Sequence, residues 1–393
     1  MNILLVHNFY RQPGGEDQVF ADEGMLLERH GHTVARFTMD NDAIEGMGRF
    51  QLARKTIWNK DAQQALRQAA RDIKADIVHF HNTFPLISPA AYYGAHDAGA
   101  AVVQTLHNYR LLCPAATFYR NSTVCELCLG RSIPWPGVWH KCYRDSRVAS
   151  AAIASMLTFH RIKRTWDDQI DLYIALTEFS RQKFIDGGLA ADKIAVKPNF
   201  VDPDPGVGIG QGQFVLFVGR LTDEKGIPTL LKAWKQLGER PGISLKVIGD
   251  GPLRQEVIDA AREIPGVEYV GRRRPEEVYA MMGEARMLMF PSQWFEGQPR
   301  TIIESLAKGT PVIAARLGSM PELVDHGHTG LLFEAGNHVD LAEQAECLLN
   351  DSQACQRMRA GARAQFESHY TAARNYEALI QCYQRARRGV DRN

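Results

Sequence analysis

Residues 294–315 read WFEGQPRTIIESLAKGTPVIAA. Pro291-Ser292 closes an apolar run just upstream, and Gly297 and Pro299 suit a helix start, since proline is tolerated in the first turn where its missing donor costs nothing. The helix is predicted to run to about Lys308, where Gly309 offers a natural stop before the apolar run Pro311 to Ala315. Strand, loop, helix and strand in that order make one unit of a parallel α/β sheet. Two acids mark the unit, Glu296 before the helix and Glu304 inside it, with seven residues between them. At helical rise they stand roughly 12 Å apart, too far to share a proton and well spaced to touch different parts of one elongated ligand. The plainer alternative is an acid near the helix amino terminus with a surface acid further on. Glu304, however, is flanked by Ile302, Ile303, Leu306 and Ala307. It therefore approaches a buried face, where an unpaired carboxylate is costly.

The alternation extends in both directions. Phe214 to Gly219, Ser244 to Gly249, Val267 to Gly271, Arg286 to Phe290 and Gly330 to Phe333 are predicted strands separated by helical stretches. Upstream, the aperiodic PNFVDPDPGVGIGQGQ (198–213), dense in Pro and Gly, has a linker's composition. Before it the pattern recurs, with strands expected at Asn2 to His7, Thr33 to Thr38, Asp76 to His81, Ala101 to His107 and Asp171 to Thr177. The reading is α/β: two Rossmann-like doubly wound domains facing across a cleft, 1–200 and 214–370, with a linker at 201–213. A closing helix (371–393) packs back on the first domain. Ligands of such sheets bind beyond the carboxyl ends of the strands.

With 46 Lys and Arg against 45 Asp and Glu, the net charge of +1 excludes a dedicated nucleic-acid binder. No segment has the eighteen or so continuous apolar residues of a transmembrane helix, and MNILLVHNFYRQPGG reads as a buried first strand rather than a signal peptide. The protein is therefore expected in the cytoplasm.

FVLFVGRLTDEKG (214–226) ends a strand in a loop with Arg220 and Lys225 ahead of a helix, an arrangement suited to a diphosphate. Alone, Lys225 is as readily a solvated loop lysine. In order and spacing, FVGRLTDEKG, VIGDGP, EYVGR and FEGQPRTIIESLAKGTPVIAARLGSMPELVDHGHTGLLF resemble family 4 of the retaining glycosyltransferases, which have the GT-B fold. In the first half Gly14-Gly15, Gly31-His32, DIVHFHN (76–82), TLHN (105–108) and ALTEFSRQKF (175–184) fall where that family has related segments.

The resemblance implies roles residue by residue. Arg220 and Lys225 would neutralise the donor diphosphate with no catalytic metal or other cofactor. Glu304 would bind the ribose hydroxyls, and Glu296 the transferred sugar. The helix start at Gly297, Arg300 and Thr301 would meet the phosphates. Gly249, Gly251 and Gly271 would leave room for the nucleoside, and Gly14 and Gly15 would admit the sugar-phosphate. His107 matches the family's histidine near the donor sugar. Pro299 departs from the glycine of many members, so one amide donor is absent. The expected partners are a nucleotide-sugar donor (UDP- or GDP-linked) and a glycan or lipid-linked acceptor of cell-surface polysaccharide assembly, with no nucleic acid. Two other readings share the pattern: a nucleotide-sugar isomerase of the hydrolysing 2-epimerase type, and a non-catalytic nucleotide-sugar-binding protein.

Three further features stand apart. Cys113, Cys125, Cys128 and Cys142 cluster around a C-x-x-C within an excursion at about 108–145. They either close an all-thiolate structural zinc site or remain buried thiols, their outer spacings of eleven and thirteen matching no well-known zinc pattern. Asp202-Pro203-Asp204 resembles a metal-binding D-x-D but lies in the linker, and is read as coincidence. The stretches 53–74 and 150–164 combine cations with apolar residues. They suit either peripheral contact with the cytoplasmic face of the inner membrane or ordinary helices, and 150–164 is apolar enough for core.

Overall fold

The structure, a computed structural model, describes residues 1–11 and 14–390. The chain divides into two units: Met1–Phe118 with Cys125–Pro198 and Asn375–Asn393, and Tyr119–Val124 with Asn199–Arg374.

The first unit is built on six parallel strands: β1 (Asn2–Phe9), β2 (Thr33–Asp40), β3 (Ile77–Phe80), β4 (Ala101–Leu106), β5 (Leu172–Ala175) and β6 (Ile194–Val196). Their order is β2-β1-β3-β4-β5-β6, with Leu5 opposite His79 and Val103 opposite Leu172. β6 is absent from the sequence reading, because three residues are too few to display a period. One face packs Ile3, Leu5, Val103 and Ile174 against Leu379, Cys382, Tyr383 and Ala386 of the closing helix, Ala372–Val390. The expected basic helix at 53–74 is two helices, Arg49–Ile57 and Lys60–Asp72. Trp58 lies extended between them, and Asn59 caps the second through its side chain.

The second unit has β7 (Phe214–Val218), β8 (Ser244–Ile248), β9 (Val267–Gly271), β10 (Leu288–Phe290), β11 (Val312–Ala315) and β12 (Gly330–Phe333), all parallel, in the order β9-β8-β7-β10-β11-β12. Alternation along β7 feeds two cores, Val215 and Phe217 into one and Phe214 and Leu216 into the other, as a sheet covered on both faces requires.

The stretch 201–213 has no regular structure, yet it does not behave as the free spacer its composition suggests. Amides of Gly208, Gly210 and Gly212 donate to the carbonyls of Lys308, Gly283 and Glu284, and Arg359 and Arg363 reach it from a later helix. It is part of the second unit. Asp204 pairs with Arg363 at 2.6 Å, a structural partner for one acid of the D-x-D look-alike. The excursion at 108–145 is likewise divided, since its short hairpin of Tyr119–Arg120 and Thr123–Val124 groups with the second unit.

Candidate functional site

In the second unit the order β9-β8-β7-β10-β11-β12 reverses direction between β7 and β10. In open parallel sheets, ligands settle outside the strand ends at such a point. Arg220 and Lys225 follow β7 and Glu296 follows β10, so the topology brings these three sequence-predicted residues to one place. The two loops are locked together. A Cβ on Gly226 would lie 1.9 Å from the Pro291 carbonyl oxygen, and Gly226 has φ +77°, so only glycine fits. The Gln293 amide donates to the Glu224 carbonyl at 2.8 Å, and Gln293 Nε2 to Thr229 Oγ1.

Glu296 is buried, and its Oε1 accepts from Lys225 Nζ at 2.6 Å and from Ser292 Oγ at 2.8 Å. Ser319 Oγ ties down the Glu296 carbonyl at 2.8 Å. Lys225 also lies over the Phe290 and Trp294 rings, 5.6 and 5.3 Å from their centroids. Arg220 is exposed. Tyr119 and Ser122 donate to the carboxylate of Asp223 in the same loop, at 2.7 and 2.6 Å.

The helix that opened the sequence reading spans Arg300–Ala307, with Pro299 before it and Gly309 at φ +64° after it. Glu304 is held from two sides, by Arg300 Nε at 3.0 Å and by the Tyr279 hydroxyl at 3.3 Å. Burial and the facing Glu304 push the Tyr279 hydroxyl up to about 12, so it stays a donor at neutral pH. Thus each acid has its own cation, Lys225 for Glu296 and Arg300 for Glu304, and the pair sits at two separate stations. Gln298 accepts from the Asn199 amide at 2.5 Å, anchoring the loop that carries Gly297.

The glycines differ in kind. A Cβ on Gly249 would meet the Gly219 carbonyl at 1.8 Å, and one on Gly251 the Leu221 carbonyl at 2.5 Å. Main chain of 219–221 thus packs against the side of both residues where a Cβ would stand. Gly271, at φ +76°, sits where the β8–β9 register shifts. Gly14 and Gly15, at the start of the Gly15–Arg29 helix, have open space where a Cβ would stand.

In the first unit, the order turns between β1 and β3. Gly14 follows β1, His81 follows β3 and His107 follows β4. Behind them runs a buried polar chain that the sequence did not announce. Lys197 and Glu23, fully buried, pair at 2.6 Å. Glu23 Oε2 faces His81 Nε2 at 3.5 Å, and His81 Nδ1 meets His107 Nε2 at 3.0 Å. His79 completes the group through Tyr383 and Thr105, at 2.9 and 2.8 Å. Burial, reinforced by His7 and Lys197, pushes the His107 ring down to about 3, and burial holds His79 and His81 well below their ordinary value. With neutral rings the proton positions follow. Glu23 Oε2 faces His81 Nε2 without closing a hydrogen bond, and the nearby carboxylate favours the His81 proton on Nε2; in that tautomer Nδ1 accepts from His107 Nε2–H. His107 is left with Nδ1 as an acceptor.

A lowered histidine value means the folded protein resists protonation. Its stabilising contribution is complete above about 6.5 and is lost as pH falls from there toward about 3. Ring 15N spectra are therefore expected to show His107 neutral and protonated at Nε2 throughout pH 5–8. An imidazolium signal at pH 6 would contradict the assignment.

Glu16 was also unread. Burial and the adjacent Asp17 push its carboxyl up to about 8, while Asn108 Nδ2 donates to it at 3.4 Å. Cys113, Cys125 and Cys142 lie near Cys128, whose thiol is pushed up to about 12, first by burial and then by Cys113. None of the seven cysteines is in a disulfide. Among the described residues, the one set of three or more potential metal ligands drawn within 4.8 Å is Glu23, His79 and His81. There Lys197 already supplies the positive charge.

Two open parallel sheets, one carrying cations and acids at its switch point, define an α/β protein of two doubly wound sheets with a site suited to an anionic ligand. The Glycosyltransferase Family 4 profile matches residues 13–205 and Glycosyl transferases group 1 matches 207–365. The chain belongs to the family 4 glycosyltransferases. The uncharacterized glycosyltransferase MJ1178 of Methanocaldococcus jannaschii is 34% identical over 37% of this chain and 40% of its own. Glycogen synthase of Mycobacterium tuberculosis is 30% identical over 44% and 43%. The amylovoran biosynthesis glycosyltransferase AmsK of Erwinia amylovora is 28% identical over 44% and 46%. The matches thus span less than half the length of these curated relatives. The GT-B fold is shared with Anabaena Alr3699/HepE, solved with UDP-glucose, at TM-score 0.68 and 19% identity over 97% of this chain and 99% of that one. It is shared equally with sucrose-phosphate synthase of Thermosynechococcus elongatus, at TM-score 0.71 and 16% identity over 98% of each chain.

Proposed function

We propose that the protein transfers a sugar from a UDP- or GDP-linked donor, with retention of anomeric configuration, to a hydroxyl of a glycan or lipid-linked glycan in cell-surface polysaccharide assembly. The donor is drawn from the cytoplasm. The observation that carries this reading is the Lys225–Glu296 station at the β7/β10 switch point, with Arg220 beside it on the same loop and the Arg300–Glu304 station further along. A diphosphate takes the cations, and Lys225 exchanges its bond to Glu296 for one to phosphate. Glu296 is then free to accept from sugar hydroxyls, while Glu304 holds the ribose.

Charge on the leaving diphosphate is met by Arg220 and Lys225, so the reading requires no catalytic metal. With donor bound, Glu296 keeps Ser292 on Oε1 and is engaged by sugar hydroxyls, so it is placed to hold the sugar rather than to attack it. Attack by the acceptor on the face the diphosphate leaves, with that phosphate taking the proton, therefore suits the site best. The solved complex of HepE with UDP and glucose supports a uridine donor, and the name of AmsK supports polysaccharide assembly.

The test is a product assay with UDP- and GDP-sugars, with and without polysaccharide-repeat acceptors, read by NMR of the new glycosidic bond. Acceptor-dependent nucleoside diphosphate release with the donor's anomeric configuration kept is expected. Donor conversion without acceptor would assign an isomerase, and binding without turnover a sugar-nucleotide carrier.

A further inference from the structure

The Arg147–Ile162 helix is apolar on two sides. Ile153, Met156, Leu157 and His160 face the core of the first unit. The other side, which the sequence left open between membrane contact and core, is uncovered: Val148 is 68% exposed, Ile162 78%, and Phe159 shares that stripe. The positions 148, 151, 155, 159 and 162 follow one another at helical spacing. Beside them the Trp135–Trp139 helix presents its two tryptophans, exposed by 54% and 65%. Ile133, Trp135, Trp139, Phe159 and Ile162 line a shallow apolar groove, and Val148 continues the exposed stripe just past its end. Seven of the large hydrophobic side chains most exposed in the described residues fall between Leu127 and Ile162. A contiguous patch of this kind marks a contact surface rather than ordinary surface scatter.

Charge identifies the partner. Residues 127–164 hold seven cations (Arg131, Lys141, Arg144, Arg147, Arg161, Lys163 and Arg164) against one acid, Asp145, a local excess of six in a chain whose whole net charge is +1. Three of them stand beside the apolar face. Arg131 lies 5.6 Å from the Trp135 ring centroid and Arg147 5.6 Å from that of Trp139. Lys163 stands over Trp58 at 5.5 Å, just beyond Phe159 and Ile162. Tryptophans that present an apolar body under a polar rim belong at the headgroup level of a bilayer, and a basic rim around an apolar face suits the surface of an anionic membrane. No helix among the described residues is long and apolar enough to cross one.

We infer that the face formed by Trp135, Trp139, Val148, Phe159 and Ile162, rimmed by Arg131, Arg147 and Lys163, docks on an anionic lipid bilayer, lying in the interface without crossing it. Sedimentation of the full chain with vesicles tests this with no donor or acceptor present, so its outcome is separable from that of the transfer assay. Binding to phosphatidylglycerol-containing vesicles is expected to exceed binding to pure phosphatidylcholine at least tenfold and to fall as salt rises. The substitutions Trp135→Ser, Trp139→Ser and Ile162→Ser together should lower it tenfold or more with the thermal midpoint kept. The substitutions Arg131→Glu, Arg147→Glu and Lys163→Glu should erase the preference for anionic lipid. Native-level binding to anionic vesicles by both triple variants, or no vesicle binding by the native chain, overturns the proposal. So does a dimer that the first triple variant dissolves, since a second copy would then cover this face.

Discussion

Lys225→Ala is expected to lower kcat by two to three orders of magnitude, about what removing one preorganised charge partner from a developing anion costs. Lys225 also neutralises Glu296, so the variant takes the cation from a buried carboxylate and should lose roughly 1–3 kcal/mol of stability. The two effects separate in the double variant Lys225→Ala with Glu296→Gln, which restores the melting temperature and leaves turnover low. Arg220→Ala, at an exposed side chain, should reduce turnover with no change in melting. Glu304→Ala should act chiefly on donor KM, because in the proposed function its station holds the ribose. Steady-state kinetics beside calorimetry read all four variants. Near-native turnover in Lys225→Ala, Arg220→Ala and Glu304→Ala together would remove the donor site from this loop.

The largest effect on stability is expected at the other unit, from Lys197→Met. Lys197 and Glu23 have no exposed surface and meet at 2.6 Å. Removing one partner of a buried pair strands the other charge, at about 3–5 kcal/mol, or on the order of 10 °C in the melting of a unit this size. Replacing both partners, Glu23→Gln with Lys197→Met, should recover at least half of that loss, because no unpaired charge remains. A single variant melting at the native temperature would mean that water or a neighbouring group already solvates Glu23. The double variant carries a second readout, since Glu23 orients His81 and His81 orients His107. Its His107 should lose the single Nε2–H tautomer even where the fold is restored.

The two predictions mark where the sequence was legible. Strand, loop and helix around Glu296 and Glu304 could be read because their signals are local: Pro299 before the helix, Gly309 after it, and apolar runs on either side. The same holds for eleven of the twelve parallel strands among the described residues. What failed was set by distant partners. Lys197 lies in VKPNF, where a lysine reads as surface, and its partner stands 174 residues away. Ser292, Ser319 and Tyr279, which hold the two acids, have no motif of their own. The glycines of 206–212 suggested slack, whereas Gly208 is there because a Cβ would stand 2.1 Å from Gly283. Composition reports conformational freedom and cannot report that the freedom has been used for close packing.

Gly226 against Pro291 carries the same lesson into protein engineering. A library randomised over 220–226 would return glycine at its last position every time, with variety surviving only ahead of it. Changes are then to be sought in side chains such as Arg220 and Asp223, since the main chain that bears them is packed against the Pro291 segment. A selection for altered sugar use that recovered changes at 226 would have rebuilt Pro291 as well.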